Sequence, residues 1–230
     1  CQLDQLSQIL RFIVLLNYHP LMEMLLTDDV FPRVAAVFEY DGKLKRKAEY
    51  RRFLREQARL KEVVPLNDQE LKDKITQTFR AKFLKESMIR PLIDESGVGA
   101  VNAVIGVNSS EIAERFRENK SLLREVVVIL RPPVRGDNSP RVRDALRLLL
   151  ELLHLSKSMY PLSRVKLLQN LFEDVPLMGY LGALLAEPTP PARPPLPRPA
   201  IDNQLRLLAS ELLFLATMFH PPLIFQNAIR

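Results

Sequence analysis

Residues 60–83 read LKEVVPLNDQELKDKITQTFRAKF, and the fold turns on how this stretch behaves. Its first part, Glu62 to Leu66, is not helix interior, because Pro65 has no amide hydrogen to donate and pushes Val64 towards extended geometry. Asn67 or Asp68 then offers a side-chain oxygen to the free amides of a new helix. Glu70 adds a carboxylate to its first turn, where the helix dipole favours it. From there Leu71, Ile75, Phe79 and Phe83 recur every four residues, with Lys72, Asp73, Lys74, Gln77, Arg80 and Lys82 between them. The pattern predicts an amphipathic helix of about six turns, entered from an extended strap.

Upstream, Leu3 to Tyr18 reads as a helix whose wide apolar face is Leu3, Leu6, Ile9, Leu10, Ile13, Val14 and Leu16. His19-Pro20 stops it, and Pro20 suits the start of the next helix, Leu21 to Leu26. Thr27-Asp28-Asp29 is expected to cap a third, Val30 to Glu39. Asp41-Gly42 then turns the chain, with Gly42 supplying left-handed geometry. Three short helices side by side are the unit of an armadillo-type repeat. Lys45 to Ala58 is a basic helix with a narrow apolar stripe of Ala48, Tyr50, Phe53, Leu54 and Ala58, Phe53 facing inward.

Downstream, Met88-Ile89-Arg90-Pro91 is a stop. Gly97 to Val107 reads as a small-residue helix, and Asn108-Ser109-Ser110-Glu111 as the cap of the next, Ile112 to Asn119. Ser121 to Arg131 is a further helix, residues 131–139 a loop, and Ser139-Pro140 the start of a leucine-rich helix running to Ser158 that should be buried on several sides. Leu162 to Glu173 and Val175 to Glu187 follow, the latter with Gly179 and Gly182 placed for close helix approach. Pro188 to Pro199 holds seven prolines in twelve residues, too many for a packed core, and is expected to be a polyproline II linker. Asp202 is placed to cap a last helix, Asn203 to Phe219, ahead of a short apolar end. The domain division is therefore 1–187, a helical-repeat domain; 188–199, the linker; and 200–230, a further repeat helix. Junctions of one kind recur at Tyr18-His19-Pro20-Leu21, Tyr160-Pro161-Leu162 and Phe219-His220-Pro221-Pro222-Leu223. They predict an all-α chain, an α-solenoid of degenerate armadillo/HEAT-like repeats, with an irregular helical globule as the plain alternative.

Composition agrees. Leucine abounds, Gly is 7 and Trp 0 in 230 residues, and no segment alternates apolar and polar residues long enough for a strand. No uncharged apolar run reaches the roughly 18 residues of a membrane span, and no signal-peptide pattern is present. A start at Cys1 rather than Met suggests a piece of a longer chain, and a single cysteine suits a reducing compartment. Net charge is +6, and its location matters more than its size. Residues 43–61 hold nine Lys or Arg against two Glu, a net of +7, so everything outside that segment sums to −1.

The motifs upstream of and within the opening stretch resemble the SMEK domain of the protein phosphatase 4 regulatory subunit 3 family. The residues carrying the likeness are Glu39-Tyr40-Asp41; Phe53-Leu54 at the end of a basic helix; and the strap Lys61-Glu62-Val63-Val64-Pro65. After these comes a helix with Glu70, Leu71, Lys74, Ile75, Gln77, Thr78, Phe79 and Arg80. Order and spacing match over roughly residues 15 to 90; beyond residue 95 there is compatible helical texture. Thr76 and Phe79 depart from the family's His and Tyr without moving an apolar position. The resemblance implies a non-catalytic partner of the phosphatase 4 catalytic subunit and of a scaffold-type regulatory subunit, nuclear and cytoplasmic, with no cofactor. Family members place a substrate-recruiting EVH1-like domain before this region; none is visible here, so short-motif substrate capture is expected to be absent.

Each candidate site has a plain alternative. His19, His154 and His220 lie far apart, and Glu151/His154 is too sparse a pair for a metal. Gly97-Val98-Gly99 lacks the third glycine and the strand of a dinucleotide fingerprint, and neither a phosphate loop nor a nucleophile beside a base is present. The basic segment admits three roles: a solvated helix face, a phosphate-binding nucleic-acid site, or a face that docks an acidic protein surface. The docking role nominates Lys45, Arg46, Lys47, Arg51, Arg52, Arg55, Arg59, Lys61 and Glu62. Neutralising Arg51, Arg52, Arg55 and Arg59 should then weaken partner binding. Nucleic acid is disfavoured, because Tyr50 and Phe53 are the only interleaved aromatics. The strap either pins helix ends or presents Lys61 and Glu62, and Pro188 to Arg193 matches an SH3-ligand pattern that any proline-dense linker would.

Overall fold

The computed structural model describes residues 2–42, 44, 48–89, 98–132, 139–186 and 203–229. Lys43, Lys45 to Lys47, Arg90-Pro91, Gly97, most of the 131–139 loop, the proline-rich 188–199 and Asp202 lie outside the described residues. The described chain is all α-helical. In order it forms α1 (Gln2–Leu15), α2 (His19–Leu25), α3 (Phe31–Phe38), α4 (Tyr50–Glu56), α5 (Gln69–Phe83) and α6 (Gly99–Glu118). Then come α7 (Lys120–Val128), α8 (Ser139–Leu155), α9 (Pro161–Phe172), α10 (Leu177–Leu185), α11 (Asn203–Phe219) and α12 (Pro221–Ile229). They divide into two compact units, residues 1–61 with 66–109, and residues 62–65 with 110–230.

In the first unit, α5 begins as its sequence requires. Asp68 has extended geometry and its Oδ1 accepts from the Leu71 amide at 3.0 Å, while residues 59–68 stay out of helix. The helix runs 15 residues and continues through a π-helical turn, Leu84–Ile89. Its buried seam is Leu71, Thr78 and Ala81, followed by Leu84 and Met88. It is not the four-residue stripe: Ile75 and Phe83 are half-buried and Phe79 is 38% exposed. The apolar core joins α1, α2, α3, α5 and the start of α6, through residues such as Val14, Met22, Phe31, Phe38, Leu84 and Val101.

Polar anchors fix the ends of these helices. α1 closes at Asn17, the only described non-glycine residue with positive φ, at 56°. Asn is among the few residues that take this left-handed position cheaply. The Asn17 side chain then accepts from the Ala100 amide at the start of α6. A Cβ on Gly99 would lie 2.9 Å from Asn17 Nδ2, so any larger residue there would have to displace the Asn17 side chain. Gly42 is a similar case: no described glycine has positive φ, and its Cβ would meet Asp4 Oδ1 at 2.8 Å. Its amide donates to that same carboxylate at 2.9 Å. Close approach, not left-handed geometry, explains this glycine.

Several expected boundaries move. α3 has no side-chain cap; Thr27 bonds its own Met24 carbonyl, and Pro32 sits in the first turn. The basic helix is described as helical only over Tyr50–Glu56. Asn108 and Ser109 do not cap a new helix but lie buried in the middle of a continuous α6. Asn108 instead donates to Gln77 Oε1 at 2.8 Å and accepts from Lys74 Nζ at 3.3 Å, tying α6 to α5.

In the second unit, α8 buries Val142, Ala145, Leu146, Leu149, Leu150, Leu152 and Leu153, one face and not the several sides expected, since at about 100° per residue they cover less than half the circumference, and it packs most extensively on α11. Tyr160-Pro161 restarts the chain as α9. α7 is capped by Asn119 Oδ1 on the Leu122 amide at 3.0 Å. Gly179 and Gly182 meet nothing that an added Cβ would touch, so they mark no close helix approach. The apolar end is a full helix, α12, whose start is held by His220 Nδ1 accepting from the Leu223 amide at 3.1 Å. Among the described residues no helix is long and apolar enough to cross a membrane.

Glu114 on α6 links to α9. Burial alone would raise its pKa, but hydrogen bonds from Ser163 and Arg117, with the charges of Arg117 and Lys166, outweigh burial and lower it. A carboxylate with a depressed folded pKa contributes stability above its unfolded pKa and loses that contribution as pH falls through the folded value. Glu114→Gln should therefore cost about 1 kcal/mol at neutral pH, with the gap to wild type closing in acid. Urea melts across pH 7 to 3 test this; a gap independent of pH would refute it.

Candidate protein-docking site

The motif residues of the first unit are mostly structural pins. Glu39 has a side chain only 5% exposed, and its carboxylate accepts from Arg51 Nη2 at 2.7 Å, Arg51 Nε at 2.9 Å and the Arg51 amide at 2.8 Å. The hydrogen bonds and charge of Glu39 raise the Arg51 pKa. Asp41, with no exposed side-chain surface, pairs with Arg11, itself 7% exposed. Burial lowers the Arg11 pKa, with the Asp4 charge opposing. Tyr40 between them is exposed at 42%.

Behind α4, Tyr50 donates its hydroxyl to the Ser87 carbonyl in the π-helical turn at 3.0 Å, and burial, then Glu39, raises its pKa. Phe53 stacks on Phe83 with centroids 5.2 Å apart, and Phe79 stacks on the same ring at 5.9 Å. Phe53 is 36% exposed, so it sits at the edge of the packing and not inward. Arg80 donates Nη1 to the Leu26 carbonyl at 3.0 Å, pairs with Asp28, and lies 5.7 Å from the Phe31 ring. Thr78 is buried with its hydroxyl on the Lys74 carbonyl at 2.7 Å.

The strap divides by exposure. Val64 is buried and Val63 and Leu66 half-buried, while Lys61, Glu62 and Pro65 are exposed.

The predicted basic face is thus only partly available. Arg51 is committed to Glu39. Arg52 pairs at 3.1 Å with both Glu49 and Glu56. Arg55, with a side chain 75% exposed, has Glu56 at 3.7 Å, and the exposed Arg59 Nε reaches the Arg55 carbonyl at 3.5 Å. Lys45, Arg46 and Lys47 fall outside the described residues. Two concavities flank α4. One, of about 330 Å³, is walled by Glu39, Ala48, Glu49, Arg51, Arg52 and Arg55. The other, of about 410 Å³, lies where α3, α4 and α5 meet; Phe31, Pro32, Leu54, Ala58, Thr76 and Phe79 form its wall, and Arg51, Arg55 and Arg80 its basic edge. Among the described residues no three His, Cys, Asp or Glu gather as a metal site requires.

Sequence comparison places this architecture. The family described as Phosphatase 4 regulatory subunit 3 matches residues 1–229. The chain belongs to that family. Its members are regulatory and non-catalytic, in keeping with the resemblance carried by residues 39–80. The chain is 25% identical to the Drosophila melanogaster serine/threonine-protein phosphatase 4 regulatory subunit 3 over 185 residues, 79% of this chain and 18% of that protein. It is 28% identical to an uncharacterized protein of Schizosaccharomyces pombe over 159 residues, 68% of this chain and 19% of that one. The chain therefore spans about a fifth of the length of these relatives. No solved structure matches it.

Sequence reasoning missed Arg11 and Asn17 and took Asn108 for a cap; these three hold the first unit's helix ends and faces together. Asn17, just past the last apolar residue of α1, carried a signal in its type, since Asn favours the left-handed closing position. Asn108 carried none, because its partners lie on another helix.

Proposed function

We propose that the chain is a non-catalytic scaffolding module of a serine/threonine phosphatase 4 complex, its helices stacked as degenerate armadillo/HEAT-like repeats. In this role it contacts the catalytic subunit and a scaffold-type regulatory subunit, in nucleus and cytoplasm, through protein surfaces alone. The observation carrying the proposal is family membership across residues 1–229. The docking face is assigned to the outward cations of α4 and the residues after it, Arg52, Arg55 and Arg59, which steer an acidic partner surface. Arg51 is removed from the set, since neutralising it disturbs the fold through Glu39.

The test is a pull-down with phosphatase 4 catalytic and scaffold subunits at low and moderate salt. The double variant Arg55→Gln/Arg59→Gln should bind about fivefold more weakly at low salt, two exposed charges each contributing of order 0.5 kcal/mol. Unchanged affinity overturns the docking face. Binding of oligonucleotides with a steep salt slope, without subunit binding, would instead favour the nucleic-acid role.

A further inference from the structure

We infer that the pocket between α3, α4 and α5 is a seat for a single apolar side chain of an acidic peptide segment. Its volume of about 410 Å³ falls within the roughly 300–1,000 Å³ of ligand-holding clefts. The apolar wall comes from three separate elements: Phe31 and Pro32 at the head of α3, Leu54 and Ala58 from α4 and the turn after it, and Phe79 of α5. Phe79 is 38% exposed and Leu54 and Ala58 are half-buried, so apolar surface here faces the opening.

The charge around the pocket points one way. No carboxylate is among its described lining residues, whereas three guanidinium groups are. Arg80 is held by Leu26 and Asp28, and Arg51 by Glu39, so both are fixed in place. Arg55 is the adaptable cation, 75% exposed with its nearest carboxylate 3.7 Å away on the adjacent residue. Arg51 and Arg55 lie four residues apart on α4 and both line the recess, with Arg80 across from them on α5. A group of cations beside one apolar recess complements a chain with several carboxylates and one buried anchor. A compact ligand with one charge would use only part of it. Desolvated anchors in pockets, ringed by weaker polar contacts, carry most of the energy of such interfaces. The seat rests on the docking-face role and adds the chemistry of what docks there.

The probes are two fluorescein-labelled heptapeptides, Glu-Asp-Glu-Leu-Asp-Glu-Glu and the same with Ser in place of Leu, titrated by anisotropy against the whole chain. The Leu peptide should bind roughly tenfold tighter, the discrimination an apolar pocket gives a side chain of this size. Ala58→Phe fills the recess without changing charge and should abolish the preference while leaving the Ser peptide unchanged. Ala58→Leu, a gentler filling, should reduce the preference partway, and circular dichroism melts confirm that each variant folds. Arg55→Gln should weaken both peptides equally. Equal binding of the two peptides, or a Leu preference that survives a folded Ala58→Phe, overturns the inference. If the preference is absent while subunit binding still falls in Arg55→Gln/Arg59→Gln, the seat fails and the docking face stands. If the preference is present and no subunit binds, the seat stands and the docking face fails.

Discussion

Arg11→Met should cost about 3–5 kcal/mol, the range for removing one member of a buried ion pair. Its partner Asp41 has no exposed side-chain surface, so water cannot replace the guanidinium. The neighbouring Asp4 carboxylate makes the loss worse, since it is engaged by the Gly42 amide and adds a second negative charge nearby. The double variant Arg11→Met/Asp41→Leu should recover most of the loss, because removing both charges also removes their desolvation cost. Chemical denaturation of the two variants and wild type reads this. A double variant as unstable as the single would mean that Arg11 acts through packing of its stem and not through charge.

How much of this was legible depends on the range of the interaction. Local chemistry read true: Pro65 excludes helix, Asp68 caps α5, and Pro161 restarts α9. The leucines of α8 overstated its burial: Leu148 and Leu155 stay half-buried and one face alone is covered. The seam of α5 did not follow its stripe, because steps of four residues advance about 40° each against a 3.6-residue turn. Three such steps carry Phe83 well round from Leu71, while the small Thr78 and Ala81 face the core. The burial of Asn108 and Ser109 inside α6 was illegible for a different reason. A polar run looks like a cap unless a second helix supplies partners, and Gln77 and Lys74 supply them here. The site followed the same rule. The charge excess of residues 43–61 is plain in sequence, but which cations are spent on Glu39, Glu49 and Glu56 is a matter of packing. The likeness read over residues 15 to 90 extends to a family match over residues 1–229.

Glu39→Ala should cost about 2–3 kcal/mol, since it deletes a buried acceptor of charge-assisted hydrogen bonds. Arg51, half exposed, can turn to water once Glu39 is gone. Arg51→Ala should be the worse of the two, because it takes the guanidinium away from a carboxylate whose side chain is only 5% exposed. Glu39→Gln should fall between wild type and Glu39→Ala, keeping one oxygen for that amide. For a chain of this size the Glu39→Ala loss corresponds to a fall in Tm of roughly 4–12 °C. The order of the three variants separates an ion pair that orients α4 from one that merely decorates it. If Arg51→Ala melts with wild type, Glu39 is hydrated and α4 is held by the Tyr50, Phe53 and Phe83 rings alone. If the predicted order holds, the acidic-aromatic motif is a clamp on α4. Loss of that clamp should then remove the preference for the Leu-centred peptide as well, because Leu54, Arg55 and Ala58 would no longer face Phe31 and Phe79 across the recess.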